Sequence, residues 1–190
     1  GRLTRIFWAR LEEENAKLLD RAPAPLPKIL STDEAGAQIN LRIKNGRLDF
    51  ASAAAAAKNP VDLFRYFRAF AKKPEIDFHP DALDLISKNS IAITSDIRRD
   101  GVVAKLFVAA ISTAKDPVKL LRVMSETGLL GKYVPSFGQI TGRIEYGLFR
   151  RYSLDEHVFQ SIGILTKIRM GALTSEHPIA AGILAGSERL

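Results

Sequence analysis

The sequence predicts a mainly α-helical fold, a helical bundle with a small β-hairpin near residues 38–50. Apolar residues recur at helical spacing through most of the chain, and several Xaa-Pro pairs stand where helices would begin. A single hairpin is indicated because Asn45-Gly46 separates two short segments of alternating hydrophobicity. Of the 190 residues, 46% are hydrophobic and 26% are charged, a balance that suits a globular protein with a buried core.

The first predicted element is a helix over residues 3–19. Its apolar residues fall on one face and are expected to point inward: Leu3, Ile6, Phe7, Leu11 and Leu18. Its charged residues are expected to face solvent: Glu12, Glu13, Glu14 and Lys17. Three prolines in residues 23–27 then predict a stiff connector.

The predicted hairpin follows this connector. Ile39, Leu41 and Ile43 alternate with polar residues before the turn, and Leu48 and Phe50 continue the pattern after it. Two short strands are too small to be stable alone, so the hairpin is expected to pack on other elements. The alanine run at residues 53–57 fits either one or two helical turns or a loose spacer.

Residues 59–128 are predicted to form four packed helices. The first follows Asn59-Pro60, the second begins at His79-Pro80, the third is capped by Thr94 or Ser95, and the fourth begins at Asp116-Pro117. Gly128 is expected to end the fourth in a left-handed conformation. The residues expected to face inward are Leu63, Phe64, Phe67, Phe70, Ala71, Leu83, Ile86, Val103, Leu106, Phe107, Ala110, Ile111, Leu120, Leu121 and Met124.

The last third of the chain is predicted to begin with a connector. Residues 129–150 hold four glycines among aromatic residues, which is typical of a segment that packs between two helical units. Residues 153–156, Ser-Leu-Asp-Glu, form a capping box at the start of the next helix, which is expected to end at Gly171. Its expected buried residues are Val158, Ile162, Leu165 and Ile168. A final helix is predicted to begin near Pro178.

Composition excludes several functional classes. The chain has no cysteine, which excludes disulfides and thiolate metal sites, and its apolar stretches are far shorter than the roughly 20 residues that span a bilayer. The N-terminal segment lacks the apolar core and cleavage site of a signal peptide. The net charge of +7 is spread along the chain rather than gathered in a basic run. We therefore expect a cytoplasmic protein that binds neither nucleic acid nor a membrane.

The three histidines are the candidate metal ligands. His79 and His177 each precede a proline at a predicted helix start, where capping is the simpler interpretation. His157 lies one residue beyond the capping box, at the edge of the apolar face. A neutral imidazole can bind a divalent cation, but a half-buried histidine bonded to the backbone is the commoner case, so the residues alone leave both interpretations open.

Motifs for nucleotide transfer are incomplete in this sequence. Gly186-Ser187 would suit a phosphate-gripping turn, yet no Asp-x-Asp pair follows it. Glu75-Ile76-Asp77 has paired carboxylates without a preceding Gly-Ser turn, and we expect it to be a solvated loop. The sequence also lacks a P-loop, a G-x-G-x-x-G motif and a G-x-S-x-G nucleophile elbow.

A series of short motifs nevertheless matches one protein family, in order, along nearly the whole chain. They are NGRLD at 45–49, NP at 59–60, FHPDAL at 78–83, RRD at 98–100, DP at 116–117, MSETGLLG at 124–131, VPSFG at 134–138, YSLDEH at 152–157 and SEHP at 175–178. Through these motifs the chain resembles the bacterial bifunctional uridylyltransferase/uridylyl-removing enzymes of nitrogen signalling, which act on the P-II regulatory protein.

The resemblance implies a particular domain order. Members of that family have an N-terminal nucleotidyltransferase domain, a helical region, a central HD-type phosphohydrolase domain and C-terminal ACT domains that sense glutamine. Residues 1–50 would then end the transferase region, residues 51–134 would form the helical linker domain, and residues 135–190 would form a connector and the first HD helices. The chain is thus expected to be a fragment, because the transferase motif and the His-Asp pair of the HD site are absent from its 190 residues.

The resemblance also implies a role for His157, as the first metal ligand of the HD site. The implied cofactor is Mg²⁺ or Mn²⁺ and the implied partner is P-II, whereas UTP and glutamine would bind outside this chain. No catalytic or cofactor-binding residue is implied within it, so we expect a non-catalytic helical scaffold. Residues 149–153 depart from the Tyr- or His-rich approach that many members have, which alters the neighbouring surface but not the ligand.

Two alternatives stay open. The chain could be a helical adaptor that docks P-II or another partner through the glycine- and aromatic-rich stretch 133–149. It could also be part of a different HD-type metal-dependent phosphohydrolase, such as a nucleotide phosphatase. ACT domains downstream would favour the uridylyl-removing enzyme over this second alternative.

Overall fold

The computed structural model describes residues 2–18, 40–54, 59–141 and 154–187, and it confirms a mainly α-helical fold with one small hairpin. The chain divides into two compact units, residues 1–139 and 140–190, and each is described by itself. None of the described helices is long and apolar enough to span a membrane. The boundaries expected for the three regions of the longer protein stay a prediction.

The first unit contains the hairpin and most of the described helices. Helix α1 (Arg2–Leu18) precedes strands β1 (Leu41–Lys44) and β2 (Arg47–Phe50). The helices that follow are α2 (Val61–Lys72), α3 (Pro80–Asn89), α4 (Ser95–Arg99), α5 (Gly101–Ser112), α6 (Pro117–Glu126), α7 (Leu129–Tyr133) and α8 (Pro135–Ile140). A 3₁₀ turn (Ser90–Ala92) lies between α3 and α4. The second unit contains α9 (Leu154–Arg169) and α10 (Pro178–Ser187).

The hairpin forms at the predicted turn. The strands pair antiparallel with Leu41 opposite Phe50 and Lys44 opposite Arg47. Asn45 and Gly46 have φ angles of 50° and 71°. Two successive left-handed residues make the type I′ turn, whose twist matches that of the flanking strands. Ile39, predicted to start the first strand, lies outside the described residues.

The segment predicted to be a solvated loop joins the hairpin edge. The N–H of Leu48 donates to the carbonyl oxygen of Asp77 at 2.8 Å, and the N–H of His79 donates to the carbonyl oxygen of Leu48 at 2.9 Å. These bonds make a parallel bridge between Leu48 and Phe78. Glu75 is exposed as expected, whereas Asp77 is half-buried, so the prediction holds for only part of this segment.

An aromatic cluster beneath the hairpin forms the core of the first unit. Phe78 packs against Phe70, Tyr66 and Phe67, with ring centroids 4.0, 5.4 and 5.6 Å away. The Tyr66 hydroxyl donates to the carbonyl oxygen of Leu48 at 2.7 Å, and its ring stacks on Phe50 at 4.5 Å. The five inward residues predicted for α2, Leu63, Phe64, Phe67, Phe70 and Ala71, are all buried. The hairpin is therefore stabilised by packing on α2, as its small size requires.

Helix α1 forms where the sequence predicts it, and Glu12, Glu14 and Lys17 are exposed as expected, but three other residues are placed differently from the prediction. Phe7 and Leu11 are 62% and 41% exposed, whereas Glu13 is only 5% exposed. The predicted inward placement of Phe7 and Leu11 and the predicted exposure of Glu13 are therefore wrong. Periodicity identifies an apolar face without showing what covers it, and here cations from other elements hold Glu13 inside. The side chains of Leu3, Ile6 and Leu18 lie outside the described part.

The third of the four predicted helices is divided in two at Asp100. This residue is extended (ψ 121°), and its Oδ1 accepts hydrogen bonds from the N–H groups of Val102 at 2.7 Å and Val103 at 3.4 Å. Aspartate favours such an N-cap over a helix interior, so α5 begins anew after α4. The prediction of a single long helix from Thr94 is therefore wrong. Thr94 also makes no side-chain capping bond.

The predicted connector is helical as far as residue 140. Gly128 has φ 78° and ends α6 as expected, and α7 and α8 then follow in close succession. Their backbones meet at Gly131 and Gly138, where a Cβ added to Gly138 would lie 2.9 Å from the Gly131 carbonyl oxygen. Glycine is needed here for close approach rather than for chain flexibility. Residues 142–150 of the predicted connector lie outside the described residues.

The second unit contains two helices joined by a short turn. Gly171 (φ 82°) ends α9 as predicted, with a Schellman pair of bonds from the N–H of Ala172 to Lys167 and from the N–H of Gly171 to Ile168. The predicted buried face is only partly correct, because Ile168 is buried while Leu165 is 51% exposed. Phe159, which was not predicted to be inward, is buried. Ser153 of the predicted capping box lies outside the described part.

Candidate functional site

Four charged side chains from three elements form a closed ring of ion pairs, called here the junction ring: Arg10 and Glu13 of α1, Lys44 of β1 and Asp81 of α3. Lys44 Nζ lies 3.0 Å from Glu13 Oε1 and 3.1 Å from Asp81 Oδ2. Arg10 Nη1 lies 3.0 Å from Glu13 Oε2, and its Nη2 lies 2.6 Å from Asp81 Oδ1. Each cation therefore contacts both carboxylates, and the ring joins α1 to elements far away in sequence.

Local structure explains how each member reaches the ring. Arg10 and Glu13 are three residues apart, so they share a face of α1. Lys44 is the last residue of β1, directly before the tight turn. Asp81 lies in the first turn of α3, where the positive end of the helix dipole favours a carboxylate.

His79 lies beside the ring and is 1% exposed. It is the N-cap of α3, as predicted, and its Nδ1 accepts a hydrogen bond from the N–H of Asp81 at 3.1 Å. That bond places the proton of the neutral imidazole on Nε2. Nε2 lies 3.7 Å from Glu13 Oε2 and has no hydrogen-bond partner among the described residues.

The ring keeps its members charged at neutral pH. Burial raises the pKa of Glu13 and of Asp81, but hydrogen bonds from Lys44 and Arg10 outweigh it and lower both pKa values. Burial lowers the pKa of Lys44, but its hydrogen bonds to Glu13 and Asp81 outweigh this and raise it. A general acid or base works best with a pKa near the operating pH. The arrangement is therefore suited to holding α1 in place rather than to proton transfer.

His79, which lies beside the junction ring, has a lowered pKa, and this favours its neutral form. Burial lowers its pKa first, and the Lys44 ammonium lowers it further. The carboxylates of Asp49, Asp81 and Glu13 oppose this shift without cancelling it. The buried imidazole is thus neutral at physiological pH, which avoids placing an uncompensated cation in the interior.

Further ion pairs fix the rest of the hairpin. Arg42 donates to Asp49 Oδ2 from Nε at 3.0 Å and from Nη2 at 2.8 Å, across the two strands. Arg47 pairs with Glu12 of α1 and lies 3.3 Å from Asp77. The Arg42 pair therefore joins the two strands to each other, and the Arg47 pairs join β2 to α1 and to the segment before α3.

Sequence reasoning missed the junction ring. Its members are separated by up to 71 positions, and Glu13 stands in a run of three glutamates that composition cannot distinguish. A signal was present at Asp81, which falls within one of the motifs shared with the resembled family. Only the packing of α1 against the hairpin shows which glutamate is buried.

The structure places the predicted metal ligand on the second unit. His157 lies in the first turn of α9 and is exposed, and its carbonyl oxygen accepts a hydrogen bond from Ser161 Oγ at 3.0 Å. His177 directly precedes α10 and is also exposed. The capping role expected for His177 stays a prediction.

The described residues do not complete a metal centre around His157. Nowhere in the described ranges do three His, Cys, Asp or Glu side chains come together in a way that could hold a metal ion. A single imidazole is a poor site for Mg²⁺, which prefers oxygen ligands in near-octahedral geometry. The metal role of His157 therefore stays a prediction, and no reaction step is derived through it.

Fold and site together define a mainly helical domain whose hairpin is joined to a preceding helix by a ring of ion pairs. The family model described as the third domain of the uridylyltransferase GlnD matches residues 41–133. This segment is similar to members of that family, and the family resemblance inferred from the motifs is confirmed.

Curated relatives extend the match over most of the chain. A bifunctional uridylyltransferase/uridylyl-removing enzyme of Phenylobacterium zucineum is 35% identical over 185 residues, covering 95% of this chain and 19% of the relative. An enzyme of the same name from Caulobacter vibrioides is 30% identical over 189 residues, covering 97% of this chain and 20% of the relative. The chain thus spans about a fifth of the length of these relatives. No solved structure matches it.

The junction ring and His79 predict how stability depends on pH. Because the pKa of His79 is lowered from 6.5, the unfolded chain takes up the proton first as the pH falls below 6.5, and stability decreases. The lowered pKa values of Glu13 and Asp81 cause a second decrease below their ordinary values of 4.5 and 3.8. The raised pKa of Lys44 causes a loss above 10.5. Urea midpoints measured from about pH 2 to about pH 12 check these three regions.

A His79→Asn variant is the matched control for the first region. Asparagine can still cap α3, so the helix start is preserved while the titrating group is removed. The decrease just below pH 6.5 should become shallower in the variant, and the decrease at lower pH should persist. A wild-type profile that is flat between pH 6.5 and 5 would contradict the assignment of His79 as a buried neutral group.

Proposed function

We propose that this chain is the central helical part of a cytoplasmic enzyme that transfers UMP from UTP to a tyrosine of the P-II regulatory protein and removes it again. The observation that carries the proposal is the similarity to bifunctional uridylyltransferase/uridylyl-removing enzymes over 95–97% of the chain. In this proposal glutamine shifts the balance between the two reactions by binding elsewhere in the longer protein.

Within that enzyme, the first unit acts as a scaffold rather than as a catalyst. Its most elaborate polar feature, the junction ring, has every charged member engaged in two ion pairs. Because its pairs are saturated, no member of the junction ring is free to activate a nucleophile or to bind a phosphate. The contacts are instead those expected of an element that keeps α1, the hairpin and α3 in a fixed relation.

The adaptor alternative receives less support from the described residues. Tyr133, at the start of the stretch proposed to dock a partner, packs against Phe64 and Phe107 with ring centroids 4.8 Å away in both cases. It therefore contributes to the interior of the first unit. Residues 134–141 are half-buried or exposed, and residues 142–149 of the stretch lie outside the described part.

In the second unit we propose His157 as one ligand of a divalent cation, Mg²⁺ or Mn²⁺, at the uridylyl-removing site. The exposed position at the start of α9 leaves its imidazole accessible to groups from elsewhere in the longer protein. The remaining ligands would come from residues other than those described. The isolated chain is accordingly expected to carry out neither reaction, and UMP transfer by it would contradict the proposal.

The test is His157→Ala in the full-length protein, with release of UMP from uridylylated P-II as the readout. Mutation of groups that merely support a metal ligand already costs about 10–100-fold, so loss of a ligand should lower release at least about 100-fold. UMP transfer to P-II should be unchanged. His177→Ala is the matched control, because it removes another exposed histidine of the same unit.

The outcomes separate the two roles of His157. Release that collapses in His157→Ala but not in His177→Ala, with thermal stability retained in both, supports the ligand. Equal release from His157→Ala and the unaltered protein would return His157 to a structural role. Absence of both reactions from the unaltered full-length protein would contradict the proposed function itself.

A further inference from the structure

Helix α1 has a second face that its own unit leaves uncovered. Phe7 and Leu11 are exposed, and Trp8 between them is 55% exposed. The rings of Phe7 and Trp8 meet edge to face with centroids 5.8 Å apart. Leu11 is four residues after Phe7 and three after Trp8, so the three side chains, called here the outer face of α1, form one apolar patch.

The outer face lies away from Glu13, the buried member of the junction ring. Leu11 and Glu13 are two positions apart, which at about 100° per residue places them on opposite sides of the helix. The side of α1 that carries Arg10 and Glu13 thus contacts the hairpin and α3, whereas Phe7, Trp8 and Leu11 stay exposed. In an ordinary surface helix, large apolar residues such as these are directed at the core of their own unit.

Such a patch is costly unless something covers it. Full burial of one large apolar side chain is favourable by about 1.5–3 kcal/mol, and clustered exposed aromatic residues commonly mark an interface. The chain has one tryptophan, and it lies in this patch. The ion pairs of Arg10 and Glu13 contribute too little stability to explain why three large apolar side chains of the same helix are left in water.

The matched proteins indicate what covers the patch. The family model begins at residue 41, after α1, and it describes a third domain, so polypeptide that forms other domains precedes it in members of the family. The similarity to the relatives covers 95–97% of this chain, so it includes most of α1. Helix α1 therefore stands between the third domain and the polypeptide before it.

We propose that the outer face of α1 docks onto the domain that precedes the third domain in the full-length protein, and that α1 bridges the two. One side of the helix would be held by apolar contact with the preceding domain, and the other by the junction ring. A movement of the preceding domain would then be transmitted to the hairpin through Arg10, Glu13 and Lys44. This inference needs the family assignment but no particular activity of the enzyme.

Hydroxyl-radical footprinting with mass spectrometry tests the proposal in the intact protein. Oxidation of Trp8 is compared between the 190-residue chain and the full-length protein. We expect rapid oxidation in the shorter chain and protection by several-fold in the full-length protein. Ile91, an exposed residue of the first unit, serves as the control and should change little between the two.

A Phe7→Glu variant of the full-length protein supplies a second measurement. A charge placed in the docked face should weaken the contact, so oxidation of Trp8 should rise toward the rate in the shorter chain. If this variant fails to fold, the comparison of the two unaltered proteins still decides the question.

Three results would overturn the proposal. Equal oxidation of Trp8 in both proteins would show that the patch stays exposed. Protection in the 190-residue chain at every protein concentration would show that the chain itself covers the patch. Protection that appears there only as concentration rises, together with a dimer in sedimentation, would assign it to a second copy. None of these results concerns UMP transfer or release, so the two proposals can fail separately.

Discussion

Replacing Phe78 by alanine is expected to destabilise the first unit by about 3–5 kcal/mol, the range measured for large-to-small substitutions of buried aromatic residues. Phe78 is fully buried and lies at the centre of the aromatic cluster, 4.0 Å from the Phe70 ring centroid. It also lies on the backbone segment that bridges to Leu48. The substitution leaves a cavity between the hairpin and α2, and neither element can close it without breaking that bridge.

Urea unfolding of the 190-residue chain, followed by far-ultraviolet circular dichroism, measures this loss. Phe7→Ala is the matched control, because it removes the same side chain from an exposed position of the same unit. Surface substitutions usually change stability by no more than about 0.5 kcal/mol. Equal effects of the two substitutions would contradict both the core position of Phe78 and the exposure of Phe7.

Replacing Glu13 by alanine is expected to cost roughly 2–3 kcal/mol, somewhat less than the 3–5 kcal/mol typical of breaking a fully buried ion pair. Glu13 is buried, but Arg10, Lys44 and Asp81 retain partial contact with water. Loss of the carboxylate leaves Asp81 as the one anion of the ring for both Lys44 and Arg10. It also removes the carboxylate that lies 3.7 Å from His79 Nε2. The fluorescence anisotropy of Trp8 should fall at the same time, because α1 is held less firmly.

Glu12→Ala tests whether the position of the glutamate matters. Glu12 is the neighbouring residue, exposed, and paired with Arg47 at the surface. Exposed ion pairs contribute about 0–1 kcal/mol, so this variant should lose far less stability. If Glu12→Ala and Glu13→Ala lose equal stability, the junction ring does not hold α1 against the hairpin. Glu13→Gln, which keeps the shape of the side chain, separates the contribution of charge from that of packing.

The elements whose signals are local could be predicted from the sequence. The turn at Asn45-Gly46 needs two residues with left-handed φ angles, and asparagine and glycine are the residue types that adopt them most readily. His79-Pro80 and Asp116-Pro117 announce helix starts, because the capping atom and the fixed φ of proline both lie within a few residues of the helix. The buried face of α2 could also be predicted, because its aromatic residues recur on one side of the helix and only that side is apolar enough to face a core.

Two other features were missed although the residues that cause them are near in sequence, because two local arrangements compete there. Asp100 divides a helix that periodicity treated as continuous, because its carboxylate finds two N–H groups at the start of α5. The connector before α9 contains α7 and α8, because the close approach of Gly131 and Gly138 allows two short helices to pack. In neither case does the sequence state whether helix continuation or the alternative contact has the lower free energy.

The sequence by itself determined the fold class, the hairpin turn and the family resemblance, because turn chemistry, helical spacing and ordered motifs are all properties of neighbouring residues. Only the tertiary structure decided that Glu13 is buried while Phe7, Trp8 and Leu11 are exposed. The physical reason is that the amphipathic pattern of a helix specifies two faces but not their surroundings. The side that packs is set by the cations of the hairpin and the carboxylate of α3, which come together only when the chain is folded.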